Sequence, residues 1–82
     1  MAKKPIGVVT HYYDKIGVAI VKFNKDISAG ETMEFKGANT DFSQTITSMQ
    51  YDHKEIPKAK KGQEIGIKVD EKVHEGNEIF EA

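Results

Sequence analysis

Ile65-Gly66-Ile67-Lys68-Val69 alternates without a break, with branched apolar residues at the odd positions and a glycine and a lysine between them. A period of two puts the three apolar side chains on one face of an extended strand. In a helix Ile65 and Ile67 would point to opposite sides, so the run is a strand. The same pattern extends outward in both directions. Thr32 to Lys36 sets Met33 and Phe35 against Thr32, Glu34 and Lys36. Ile6 to Tyr13 and Ile16 to Phe23 are rich in β-branched and aromatic residues, and the Asp14-Lys15 break between them suits a tight hairpin. Asn24 to Gly30 and Gly37 to Thr40 read as turns. In Phe42 to Asp52, Phe42, Gln44 and Ile46 share one phase while Met49 and Tyr51 share the other, which predicts a β-bulge near Thr47-Ser48. Gly76-Asn77 turns the chain into a last strand, Glu78 to Glu81, with Ile79 as its core residue.

No segment sustains a helical apolar period, so the fold class is all-β. Six short strands laid flat would leave two open edges; closing the sheet removes both. The expectation is a single small closed six-stranded β-barrel spanning residues 1–82, with residues 1–4 as a disordered tail. Its predicted interior is Val8, Val18, Ile20, Met33, Phe35, Ile46, Met49, Ile65, Ile67 and Ile79. Pro57 cannot donate to a ladder, so the basic segment around it is not a central strand.

Composition narrows the function. The chain has 82 residues and no cysteine, which excludes disulfides and thiolate metal sites and suits a reducing cytoplasm. Behind Met1-Ala2-Lys3-Lys4-Pro5 there is no apolar stretch of the length a signal peptide needs, and no run approaches a membrane span of ~18 apolar residues. A soluble protein with no membrane partner is expected. Formal charge is −1, and all 12 cations are lysines. Bidentate reading of phosphate or guanine is arginine's chemistry, so sequence-specific DNA recognition is not expected. Charge is segregated: Lys54, Lys58, Lys60 and Lys61 stand against Glu55 alone, while Asp70, Glu71, Glu75, Glu78 and Glu81 stand against Lys72. The ordinary account of both runs is solvated turns.

The order of the turns carries a resemblance. Ile16-Gly17-Val18-Ala19-Ile20-Val21, Ile27 to Gly37, Thr45 to Gln50, Ala59 to Gly66 and Glu75 to Ile79 together resemble the second domain of translational GTPases such as elongation factor Tu. The match covers residues 6–80. The chain also resembles small stand-alone translation elongation factor-like proteins, and the module at the C-terminus of collagenase-like peptidase-family proteins, some linked to RNA modification. It departs from the GTPase domains at Val21-Lys22, where a further glycine is common. Gln63 and Asn77 stand where an acidic residue is usual. The resemblance implies a non-catalytic binding module of the translation-factor second-domain type. Its partners would be RNA (tRNA or ribosomal) or a translation- or RNA-modification-related protein. The alternative is an adapter that docks to a larger enzyme or GTPase-like protein.

Catalytic signatures are missing. There is no phosphate-cradling glycine loop, and Asn24-Lys25-Asp26 has Ile27 where a guanine-reading motif needs Asp. His11, His53 and His74 follow no metal spacing, and Ser28, Ser43 and Ser48 lack an elbow motif. Neither an enzyme nor a cofactor is expected. Two candidate binding features remain. His11-Tyr12-Tyr13 ends a strand, and since neighbours on a strand face opposite ways, one tyrosine should point outward to stack on a base or anchor a protein. Lys54, Lys58, Lys60 and Lys61 could meet phosphates or an acidic surface.

Overall fold

The computed structural model describes residues 4–38, 40–51 and 54–81. These form strands β1 (Gly7–Tyr13), β2 (Val18–Phe23), β3 (Ile27–Ser28), β4 (Thr32–Gly37), β5 (Thr40–Thr45), β6 (Met49–Tyr51), β7 (Lys54–Glu55), β8 (Lys58–Ala59), β9 (Glu64–Lys68) and β10 (Glu78–Glu81). Among the described residues there is no helix, and therefore none long and apolar enough to cross a membrane. Eight strands make one antiparallel sheet in the order β5-β4-β10-β1-β2-β9-β6-β7, and β3 pairs with β8 as a separate ribbon.

With no helix to cover its apolar face, the sheet can hide that face only by curling. One core cluster collects Val9, Val21, Met33, Phe35, Met49 and Ile67 from five strands, together with Ile27 and Ala59 from the ribbon. The Cα radius of gyration, 11.4 Å, matches the ~12 Å expected of one folded body of this length. Phe35 and Phe42 stack across β4 and β5 with ring centroids 4.9 Å apart, an arrangement worth about 0.5–1.5 kcal/mol beyond burial.

The strand ladders do not close into the expected barrel; β5 and β7 remain the two ends of the order. The long strand expected over Phe42 to Asp52 is interrupted at Ile46–Ser48 rather than bulged. Before the break the chain keeps β4 as its partner, extended by Ile46 N–H donating to Glu31 O and Gly30 N–H to Ile46 O. After the break it pairs with β9. Among the described residues β5 and β9 share no ladder at this corner, and a side chain spans it instead. Gln44, 8% exposed, donates through Nε2 to Lys68 O at 2.9 Å and accepts from Asp70 N–H through Oε1 at 2.7 Å. Those bonds join β5 to the end of β9, five places away in the sheet order.

The phase change in that segment is real, with Gln44 and Ile46 buried and then Met49. A register shift lies elsewhere, between Val9 and His11 on β1, where Thr10 Oγ1 donates to Ile20 O. The Asp14-Lys15 hairpin is a four-residue turn that includes Ile16 and Gly17. Gly17 there takes φ +66°, a conformation that other residues rarely adopt.

Seven of the predicted interior residues are buried: Met33, Phe35, Ile46, Met49, Ile65, Ile67 and Ile79. Val8, Val18 and Ile20 are not; they lie on the outer face, and Val9, Ala19, Val21 and Phe23 fill the core. β2 is apolar in both phases, so its own pattern does not choose. The choice is made by partners: Val9 sits opposite Val21, and Tyr12 packs over the small Ala19. Val73, wholly buried within the irregular 69–77 connection, and the ribbon's Ile27 complete the core without any strand alternation to announce them.

Candidate docking face

The outer surface of β1, β2 and β9 has two unlike bands. Across one run Asp41, Lys36, Glu78, Val8, Lys22 and Glu64, each opposite the next on neighbouring strands and all exposed. Five of these six are charged with alternating sign on either side of Val8, the pattern of a solvated surface. The other band holds His11 opposite Ile20 opposite Gly66, and Tyr13 opposite Val18 opposite Lys68. Here apolar groups dominate. Tyr13 is 52% exposed and Ile16, on the adjoining turn, 65%.

Gly66 shapes this second band. A Cβ there would stand 3.5 Å from both Ile20 Cδ1 and Val18 Cγ1, so the missing side chain leaves a floor over which both lean. Gln50 O lies farther from that position, at 3.8 Å. The result is a groove of about 270 Å3 lined by Tyr13, Ile16, Val18, Ile20, Gln50, Glu64 and Gly66. His11 borders it: its ring stacks on Tyr13 with centroids 6.5 Å apart, and its Nδ1 lies 3.1 Å from Glu75 Oε1. Both partners of that pair are more than half exposed, so it orients the ring and adds little stability.

The structure separates the residues singled out from sequence. His11 and Tyr13 share the outer face, while Tyr12 turns inward against the core. Lys54 lies on β7, Lys58 on β8, and Lys60 and Lys61 on the turn before β9; all four are exposed. β7 is four places from β1 in the sheet order and β8 lies in the separate ribbon, so Lys54 and Lys58 stand on elements that do not pair with the strand of His11 and Tyr13. Lys60 N–H donates to Gln63 Oε1 and Lys61 N–H to Asp26 Oδ1, bonds that hold the turn around Gly62, φ +85°. His53 lies outside the described residues. Lys25 bonds Glu81, which raises its pKa and ties the turn after β2 to the last strand, away from the groove. Among the described residues no group of three or more histidines and carboxylates could hold a metal ion.

Ile16 and Gly66 were not expected at a binding surface, and Val18 and Ile20 were expected in the interior. The signal for Ile16, Val18 and Ile20 was present in Ile16 to Phe23, a run apolar in both phases inside a sheet that has one buried face.

Fold and surface together define a small all-β module whose outer face carries an apolar groove beside a charged band. No protein-family model matches the chain. Its architecture is similar to the crystallised C-terminal domain of a Geobacillus thermoleovorans protein classed with the U32 peptidases. The TM-score is 0.89 at 24% identity, covering 96% of this chain and 100% of that domain. A second structure of the same domain gives 0.88 at 23% identity, covering 98% and 92%. In sequence the chain is 34% identical over 79 residues to an uncharacterized protease of Methanocaldococcus jannaschii, matching 95% of this chain and 19% of that protein. It spans about a fifth of the length of this curated relative.

Proposed function

We propose that this chain is a non-catalytic interaction module that docks, through the outer face of β1, β2 and β9, onto a larger protein of the U32 peptidase type. The observation that carries this reading is the groove between Tyr13, Ile16, Val18 and Ile20, apolar surface that the fold itself leaves uncovered. Apolar groups clustered on a polar exterior mark contact surfaces, and aromatic anchors such as Tyr13 concentrate binding energy. Two comparisons support it. The similar crystal structures are of one domain of a larger protein, and the protease relative has about four fifths of its length outside the match. Docking within one chain or between two chains would use the same face. The reading also takes the curled sheet as a barrel of the translation-factor second-domain type, with Gln44 making the closure, and sets the cysteine-free chain in the cytoplasm.

RNA binding has less behind it. Its support is the likeness to translational GTPase domains and the four lysines, which are divided among β7, β8 and the turn before β9.

A photoreactive amino acid placed at Ile16, with Lys36 as the control site, tests the proposal in the producing cell. The expected result is a discrete, nuclease-resistant protein adduct from position 16 and none from position 36. RNA adducts, or equal protein adducts from both positions, would count against docking.

A further inference from the structure

Three hollows on the surface follow one another through shared lining residues, Glu64 between the first two and Gly62 between the last two. The apolar groove includes Glu64. A polar hollow of about 450 Å3 runs from Glu64 past Gln63 and Tyr51 to Gly62. A third, of about 310 Å3, begins at Gly62 and is floored by Val8 and Phe23, with Lys22, Lys61 and Glu78 among its lining residues. Each is sized for a side chain, not for a helix about 10 Å across. The two apolar ends lie along β2, one around Val18 and Ile20, the other beside Lys22 and Phe23. Val18 and Lys22 are four residues apart, about 13 Å at ~3.3 Å per residue of strand.

Charge differs along this track. In the first hollow Glu64 is the one ionised lining residue; in the third, two lysines face one carboxylate. Glu64, opposite Lys22 on the ladder, is shared by the first two hollows and would attract a cation, whereas Lys22 and Lys61 line the third and would attract an anion. Gly7 lets the far end form: a Cβ there would lie 2.8 Å from Phe23 Cδ1, so a side chain would push the ring that floors the hollow.

We infer that the joined hollows seat one extended segment of the docking partner, with two bulky apolar side chains about four residues apart, a lysine or arginine between them and a carboxylate at the Lys22–Lys61 end. This rests on the docking reading and specifies its ligand. An extended chain covers ~3.3–3.6 Å per residue, so apolar side chains at that spacing reach both ends at once.

The test is selection of phage-displayed random 12-residue peptides on the whole chain, followed by amide NMR with the enriched peptide made synthetically. The expected consensus is apolar-x-x-x-apolar with a basic residue inside and an acidic residue at one end. The peptide should shift amides at both Gly66 and Gly62. Val8→Glu and Ile20→Glu should each weaken it at least tenfold, with the native spectrum kept elsewhere. Peptides that shift only one end, no enrichment over the Val8→Glu/Ile20→Glu double variant, or concentration-dependent shifts of the same amides without peptide would overturn the inference; the last result makes a second copy the occupant. Repeating the cross-linking from Ile16 in the two variants separates the claims. Loss of adducts with Ile20→Glu alone keeps docking and removes the two-ended track, whereas adducts unchanged in both variants remove docking itself.

Discussion

Strands β4 and β2 have the same length, six residues each, and opposite legibility. In β4, Met33 and Phe35 are buried while Thr32 and Lys36 are exposed, a division visible in the residues themselves. In β2, Ala19, Val21 and Phe23 are buried, yet Val18 and Ile20 are also apolar and only half covered. A strand needs one apolar face to fold into a single-cored sheet. When it carries two, the second serves something outside the core. The residues placed inside by sequence reasoning and found outside, Val8, Val18 and Ile20, all line the hollows described here.

The inner faces of the two strands should respond alike. Phe35→Ala removes a fully buried ring that stacks on Phe42 and should cost about 3–5 kcal/mol in denaturant unfolding, enough to leave much of so small a domain unfolded. Cooperative unfolding at the original midpoint would show that the core is not where the burial places it.

Gly37, at the end of β4, tests how closely that region is packed. A Cβ there would run into Asn77 Nδ2 and lie 2.8 Å from its Cγ, and Asn77 is 7% exposed with Oδ1 holding His74 N–H. Gly37→Ala should therefore cost about 1–3 kcal/mol, as overpacking does, read as a lower thermal midpoint.

Gly66→Ala reverses the sign on the outer face of β9. The new methyl meets Val18 and Ile20 at ordinary contact distance, and removing a strand glycine should raise stability by about 0.5 kcal/mol. It also fills the groove floor, so cross-linking from Ile16 should fall as the melting temperature rises. A rise in both would detach the groove from docking. Thr40→Val is the mildest change. The Thr40 hydroxyl is buried and has no hydrogen-bond partner among the described residues, so its replacement should be neutral or stabilising by up to about 1 kcal/mol.

Strand content and most of the core were legible because alternation is local: Ile65 and Ile67, or Met33 and Phe35, declare their face without help. The ends of the sheet were not. Whether β5 and β9 meet through a ladder or through Gln44 depends on how a corner of chain divides its hydrogen bonds, and a phase change shows only that a corner exists. Facing in β2 was hidden for another reason, since it is fixed by Val9 and Tyr12 across the ladder after the register shift at Thr10. The aromatic half of the candidate site was visible in His11-Tyr12-Tyr13. The aliphatic half was visible as well, but it read as core.

Adjacent residues of β2 offer the most direct test. Val21→Thr and the pair Val18→Thr/Ile20→Thr keep β-branching, so they differ mainly in which face receives the hydroxyl. Urea unfolding and cross-linking should be measured on both. Val21→Thr should lose about 1–3 kcal/mol by burying a hydroxyl without a designed partner. The outer pair should lose less than about 1 kcal/mol and abolish the protein adduct from Ile16. Equal destabilisation of the two, with the adduct intact in the outer pair, would mean that Val18 and Ile20 belong to the fold and that the face is not a docking surface.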